Sequence, residues 1–435
     1  MLSRLPGAVP LATLGLVAFV ATAAGCSSSS GGTGGGNNTS TTPDAGAPFV
    51  PFPASPTTFD MNFTVAAGAE DFECTYVTMP AAAGFIIGGQ HEYTVGSHHL
   101  LLYRTTLTSI PTGQASPTLG DCYAPGATYM STINGVVYPA ATPKGEITMP
   151  EGVGLPFSAN DVYLFQVHYL NATANAIDAH VSVHLTTQTA PVKQNAGILF
   201  FYDPFIDVPQ GAGAVASMRC PIKQNITLFS ESSHYHARGV GYQAYLDPPS
   251  GSEATTPFYT SSNWASPTIA LDTMQIQAGS HIRYYCDYDN TSGTQAYFQG
   301  QSAALNEMCM FIGMYYPAMT PADEQCYSGD TYGTGTVSCV NTLSCLAACP
   351  PAAADAGGGS GPQQVAFATP CIQQCFAQSC PDSAGPLEAA LNCIQSSCGS
   401  QCATSGSACD TCVADSCASQ YEACANAACG TVPAP

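Results

Sequence analysis

Cysteine constrains this chain more than any other feature. There are 21 cysteines in 435 residues, too many to stay reduced in a cytosol unless they bind metal. Cys409 and Cys412 form a lone C-x-x-C, a spacing that zinc can use. The cysteines around that pair are too numerous, and too regular in helical spacing, for a zinc ribbon or finger. Pairing in an oxidising compartment accounts for them better.

The N-terminus agrees with export. Arg4 supplies a positive start, and an apolar run follows from Val9 to Ala24. Ala23-Ala24-Gly25-Cys26 then reads as a bacterial lipobox. Residues 1–25 are expected to be a signal peptide, and 26–48 a lipidated Cys26 followed by a Ser/Gly/Asn/Thr linker. The alternative is an ordinary cleaved signal with Cys26 a bystander. Lipidation of Cys26 leaves twenty cysteines, an even number that permits complete pairing. The expected location is a bacterial outer-membrane or cell-surface lipoprotein, held to the membrane by its lipid. Lys and Arg total 8 against 29 Asp and Glu, a net charge of -21. That balance argues against nucleic acid and anionic membrane surfaces as partners.

Between about residues 50 and 325, short apolar runs are cut by Gly, Pro, Asn and Asp. Asp161–Leu170 is rich in Val, Tyr and Phe. Asp178–Thr186 alternates, with Val181 and Val183 on one face. Gly197–Tyr202 is a short run of the buried kind. The expectation is a mainly β chain with two tandem antiparallel, jelly-roll-like β-sandwiches, at 49–191 and 192–330. From 331 to 435 a small disulfide-rich helical module with an internal Ala/Gly/Pro linker is expected. Fourteen cysteines lie after Ser338, and aromatics nearly vanish there. Spacings of four and five residues put Cys371, Cys375 and Cys380 on one helical face, and Cys393, Cys398 and Cys402 on another. Nested bridges Cys371–Cys402, Cys375–Cys398 and Cys380–Cys393 would satisfy two antiparallel helices. Cys412 and Cys417 could nest with Cys424 and Cys429 in the same way. Such a module lacks apolar side chains and would depend on its bridges; it reads as a stalk or interaction domain without catalytic chemistry.

Five of the nine histidines fall in three suggestive places. His234 and His236 form an H-x-H, whose side chains on a strand share a face about 7 Å apart and can reach one metal. His98 and His99 are adjacent and diverge on a regular strand, so both can meet one metal only at a strand end or bulge. His168 stands alone on a strand. For each, a satisfied strand histidine is the bland alternative; His180 and His184, among Ser and Thr, are read that way. Met308, Met310 and Met314 crowd one segment. A thioether suits Cu(I) and is a poor ligand for zinc, magnesium or calcium, but spacing does not choose among the three.

Five motifs in order choose. Phe72–Pro80 (FECTYVTMP), 98–103 (HHLLLY), 166–169 (QVHY), 234–236 (HYH) and 307–309 (EMC) followed by Met314-Tyr315-Tyr316 resemble the catalytic core of the copper type II ascorbate-dependent monooxygenases, the group of peptidylglycine α-hydroxylating monooxygenase and dopamine β-hydroxylase. The resemblance runs from Phe72 to about Cys326. It implies two copper ions per chain. His98, His99 and His168 would hold an electron-transfer copper in the first sandwich; His234, His236 and Met308 would hold an O2-activating copper in the second, across a solvent-filled cleft. It also implies bridges Cys74–Cys122, Cys220–Cys326 and Cys286–Cys309, and hydroxylation of a C–H bond with O2 and ascorbate or another electron donor. The resemblance departs from the peptide-amidating branch at the substrate positions. Ser232 stands where that branch has a carboxylate-binding Arg, and Met310 and Ile312 replace its Asn and Tyr. The substrate, a small molecule or peptide, is therefore expected to be neutral or apolar rather than a peptide with C-terminal glycine. Two other classes compete: a non-catalytic copper-binding surface lipoprotein on the same fold, and an adhesion protein whose Cys-rich tail does the work.

Overall fold

The computed structural model describes residues 49–124, 126–326, 333–350, 369–398, 401–402 and 407–430. The leader, Cys26, its linker and the Ala/Gly/Pro stretch within the tail lie outside the described residues.

The first half is two sheets with one core between them. One sheet orders strands Thr58–Val65, Ile177–Gln188, Gly84–Tyr93, Val153–Phe157 and Gln194–Asn195, with Lys144–Thr148 also paired to Gly84–Tyr93. The other orders Gly120–Asp121, Glu70–Thr78, Val162–Leu170, Ser97–Thr105 and Ile133–Ala140. Period-two alternation sets the faces. In Ile177–Gln188, Ala179, Val181, Val183 and Leu185 are buried. Each large apolar side chain removed from water this way stabilises the fold by about 1.5–3 kcal/mol. On the opposite face His180 Nδ1 meets Asn62 Oδ1 at 2.7 Å and His184 Nδ1 meets Thr58 Oγ1 at 2.9 Å, so both are satisfied strand histidines.

The second half repeats the plan. One sheet orders Met274–Ile276, Ile226–Tyr235, Cys309–Tyr316, Gly197–Tyr202 and Gln325–Cys326; its partner orders Gly213–Pro221, His281–Asp289, Gly239–Asp247 and Tyr259–Ser261. Leu199, Phe201, Phe311 and Tyr315 face the internal core, against Met218, Tyr242 and Tyr284. The alternate residues of the same strands, Ile198, Phe200, Met310 and Met314, pack into the core of the first sandwich. Strands buried on both faces read as continuous apolar runs, which is why GILFFY (197–202) and CMFIGMYY (309–316) lack polar alternation. The two sandwiches therefore meet through a sheet whose outer face is as apolar as its inner one.

Cys74–Cys122, Cys220–Cys326 and Cys286–Cys309 are bridged, with S–S separations of 2.16, 2.09 and 2.11 Å. The last joins the residue after Met308 to the strand His281–Asp289.

The tail is helical and disulfide-rich, but the expected nesting is wrong in its partners. Cys371 pairs with Cys349 and Cys375 with Cys345, so the helix Pro370–Ala377 is laddered to Cys339–Ala348, which precedes the linker. Cys393 pairs with Cys417, Cys398 with Cys412, and Cys402 with Cys409, which makes a second ladder between Ala384–Cys398 and Ser407–Ser416. Cys339–Cys424 and Cys380–Cys429 tie the ladders together. Spacing had identified which face of a helix carries cysteine. It could not say which helix lies opposite, because that choice belongs to tertiary packing. The tail also docks. Phe376 stacks on Phe205 with ring centroids 3.9 Å apart, and Gln373 Nε2 donates to the Gln299 carbonyl at 3.2 Å.

Ten disulfides among the described residues suit an extracellular or secreted protein. No helix among the described residues is long and apolar enough to cross a membrane.

Candidate metal centre

The strand Ser97–Thr105 starts from a tight turn. Gly96 holds φ +118°, a conformation that costs a side-chain-bearing residue dearly. The register against Val162–Leu170 then shifts between Ser97 and His99. That bulge breaks strict alternation at His98, so two consecutive histidines point into the same space. Ser97 Oγ, which lies 3.1 Å from both the His99 and the His168 carbonyls, braces it. His168 lies opposite His99 on one side and opposite Phe72 on the other. The Phe72 ring stacks on the His168 imidazole at 4.0 Å.

His234 is the penultimate residue of the strand Ile226–Tyr235 and His236 follows it, with Tyr235 turned into the core between them. Met308 immediately precedes the strand Cys309–Tyr316, which pairs with Ile226–Tyr235 so that Cys309 lies opposite Tyr235 and Met310 opposite His234. Tyr288 Oη donates to the Met308 carbonyl at 2.6 Å and, with the Cys286–Cys309 bridge, pins that corner.

All five histidines are buried, and they form one cluster. His98, His99 and His168 bring ligand atoms within 4.8 Å of one another, and so do His98, His234 and His236. His98 belongs to both sets: its ring centroid is 5.2 Å from His168 and 4.7 Å from His234. Trp264, the only tryptophan in the chain, lies 5.4 Å from it. The structure thus departs from the open cleft expected between the two sets. The bulge carries His98 out of the first sandwich until it meets the histidines of the second.

The cluster has the chemistry of a metal site. His98 Nδ1 and Nε2, His99 Nδ1, His168 Nδ1 and His236 Nε2 are buried with no hydrogen-bond partner. Orphaned ring nitrogens are costly in a dry interior unless something else takes their lone pairs. Burial first, and the neighbouring imidazoles second, hold His98, His99 and His236 well below the ordinary histidine value; His234 falls to about 3. Neutral imidazole is the ligating form. Imidazoles joined by a thioether would favour copper over harder cations, and Met308, which lines the same cavity as His99 and His234, is the candidate thioether. The third candidate group, Cys349, Cys371 and Cys375, is spent in disulfides.

Beside the cluster, at the junction of the sandwiches, is a cavity of about 250 Å³. His99, His234 and Met308 reach it, as do Ser232, Met310 and Ile312, the three residues at the substrate positions. None of its lining residues is Lys or Arg, so it holds no cation to bind a carboxylate. Glu231, buried on the wall, is pushed up to about 7 by burial and, next, by Asp272. Ile269 and Leu271 line it while remaining exposed.

Several residues here escaped the sequence reading. Glu70 Oε1 accepts from His168 Nε2 at 2.8 Å and from Ala303 N at 2.6 Å, while its other oxygen accepts from Ser302 Oγ. Burial opposes ionisation of Glu70, yet the hydrogen bonds from His168 and Ser302 outweigh it and its pKa lies below the ordinary value. Buried Glu307, beside Met308, pairs with Arg238 at 3.0 Å. Arg238 also caps the turn 303–306 and lies over the Tyr297 ring at 3.7 Å. Tyr123 Oη donates to Gln301 Oε1 at 2.9 Å, joining the two sandwiches. Only Glu307 had a sequence cue, since it adjoins the Met ligand position. Glu70 had none; an acidic residue on a strand face is ordinarily solvated.

Parts of the chain are similar to known proteins. Residues 207–334 match the family described as "Copper type II ascorbate-dependent monooxygenase, C-terminal domain". A human protein named "Putative DBH-like monooxygenase protein 2" is 23% identical over 292 residues, spanning 59% of this chain. The chain covers 55% of that relative, about half its length. Among solved structures, the major capsid protein P2 from bacteriophage PM2 aligns over 60% of this chain and 98% of its own, at 8% identity; its TM-score of 0.25 carries no argument.

Proposed function

We propose that this chain, whose matches support the copper type II ascorbate-dependent monooxygenase family, is an exported copper-dependent enzyme that hydroxylates a C–H bond. One oxygen atom of O2 enters the bond and the other leaves as water, with two electrons from an ascorbate-like donor and two protons completing the balance. The observation that carries the reading is the pairing of a buried histidine cluster, five of whose ring nitrogens lack a hydrogen-bond partner, with a largely apolar cavity at Met308.

In this reading His98, His99 and His168 hold one copper, and His234, His236 and Met308 hold the other. Copper at these sites supplies one-electron transfer and O2 activation. The protein does the rest. Its cavity seats the substrate between the sandwiches, next to Met308 and His234. Ser232, Met310 and Ile312 shape that seat, and the absence of a basic side chain disfavours carboxylate-bearing peptides and favours a neutral, largely apolar molecule. Burial keeps every ligand imidazole unprotonated at neutral pH. Lipidation of Cys26 would place the enzyme on a cell surface.

A copper-storage or sensing lipoprotein is the competing reading. The cavity favours catalysis, because a metal store needs no chamber beside its ligands. The deciding measurement is copper content together with O2 consumption by the full chain, with ascorbate and a panel of apolar compounds. Two coppers per chain and substrate-dependent hydroxylation support the enzyme. Copper without product from any compound, together with unchanged behaviour of Met308→Ala apart from copper affinity, supports the store. A chain that takes up no copper overturns both.

A further inference from the structure

One turn touches both histidine sets. Residues 302–306 lead into Met308, and their polar groups reach in two directions. Toward the first sandwich, Ser302 Oγ and Ala303 N donate to the Glu70 carboxylate, whose Oε1 also accepts from His168 Nε2 at 2.8 Å. Toward the second, the Asn306 carbonyl accepts from His236 Nδ1 at 3.2 Å and from Arg238 Nη1 at 3.3 Å. The turn is closed on itself by Leu305 N donating to Ser302 Oγ at 3.0 Å and Ser302 N to Asn306 Oδ1 at 3.3 Å.

These bonds decide tautomers. A carboxylate accepts and cannot donate, so His168 carries its proton on Nε2 and presents a bare Nδ1. A carbonyl is likewise only an acceptor, so His236 carries its proton on Nδ1 and presents a bare Nε2. The two bare nitrogens are among the buried, partnerless ones.

We propose that Glu70 is a positioning residue for both metal sites: it holds His168 with Nδ1 toward the metal, and it latches the 302–306 turn of the other sandwich, which orients His236 and Met308. The inference rests on the copper reading above. Its consequence is that separating the sandwiches here breaks the Ser302 and Ala303 bonds to the same carboxylate that holds His168, so domain packing and metal loading are coupled through one side chain.

The test is Cu(I) competition titration and Cu(II) EPR on the full chain and on Glu70→Ala, Glu70→Gln and Ser302→Ala. Removing a group that orients a metal-bound histidine costs roughly 10–100-fold in metal affinity. Glu70→Ala should lose that much at the first site, alter its EPR signature, and weaken the second site as well. Glu70→Gln keeps an acceptor for His168 and for the turn but loses the charge. It should fold as wild type and fall between the two, so it reads the same quantity if the alanine variant does not fold. Ser302→Ala should weaken the second site and leave the first unchanged. Wild-type affinity and spectrum at both sites in Glu70→Ala would overturn the proposal while leaving the copper reading intact. An unaffected second site in Ser302→Ala would overturn the latch. Failure of the wild-type chain to bind copper would overturn the copper reading and, with it, this one.

Discussion

The two sandwiches bring histidines to one cluster by different routes. In the first, His98, His99 and His168 sit within one sheet, on paired strands, and a bulge rather than a loop makes the adjacent pair converge. In the second, His234 and His236 use plain strand alternation at a strand's end, and the thioether comes from the corner before Cys309–Tyr316. The first set is an all-imidazole group stacked on Phe72 and backed by Glu70. The second adds Met308, the softer candidate ligand, and the cavity is lined by His99 of the first set as well as by His234 and Met308 of the second. An all-imidazole set suits passing electrons, and a set that includes a labile thioether suits binding reactants. His98 complicates the division, because it lies within reach of both.

The largest expected effect comes from that shared residue. His98→Ala should remove the first copper and weaken the second by more than the roughly 100-fold that outer-lying changes cost. Elemental analysis and competition titration check this; a full second site in the variant would restore two independent centres. Met308→Ala should separate the sites the other way. Turnover is expected to fall by more than about 100-fold while copper at the first site stays bound, read as O2 consumption against the first-site EPR signal. Loss of both coppers would mean that the halves are not separable.

A third effect, on stability, acts only in acid. In the unfolded chain His234 titrates near 6.5, whereas burial holds it at about 3 in the fold. Between those values the unfolded state binds more protons, so stability rises with pH across the window and is full above about 6.5. For the metal-free protein, acidification from 6.5 toward 3 should therefore cost on the order of 4 kcal/mol through this residue. Thermal melts of wild type and His234→Asn measure the difference; equal acid sensitivity would mean that His234 is solvated in solution and the cluster is open.

Much of the β architecture was legible because burial imposes its period locally. Alternation in 178–186 identified a half-buried strand, and the unbroken GILFFY run identified one buried on both faces. His180 and His184, read as strand histidines, find side-chain partners in Asn62 and Thr58. The tail was legible only by halves. Helical spacing of cysteine is a property of one segment, and it produced helices; pairing is a property of two, and the expected partners were wrong because Cys345 and Cys349 from before the linker took Cys375 and Cys371.

By itself the amino-acid sequence determined the compartment class, through cysteine number; the β class, through period-two burial; and the candidate ligands, through ordered motifs whose residue types suit copper. Each of these depends on residues near one another along the chain. The tertiary structure alone decided that His98 faces both sets, that Glu70 and the 302–306 turn choose the free nitrogens of His168 and His236, and that the cavity lacks a cation. Those facts depend on groups up to 233 positions apart meeting at a few ångströms, and only packing of the two sandwiches brings them there.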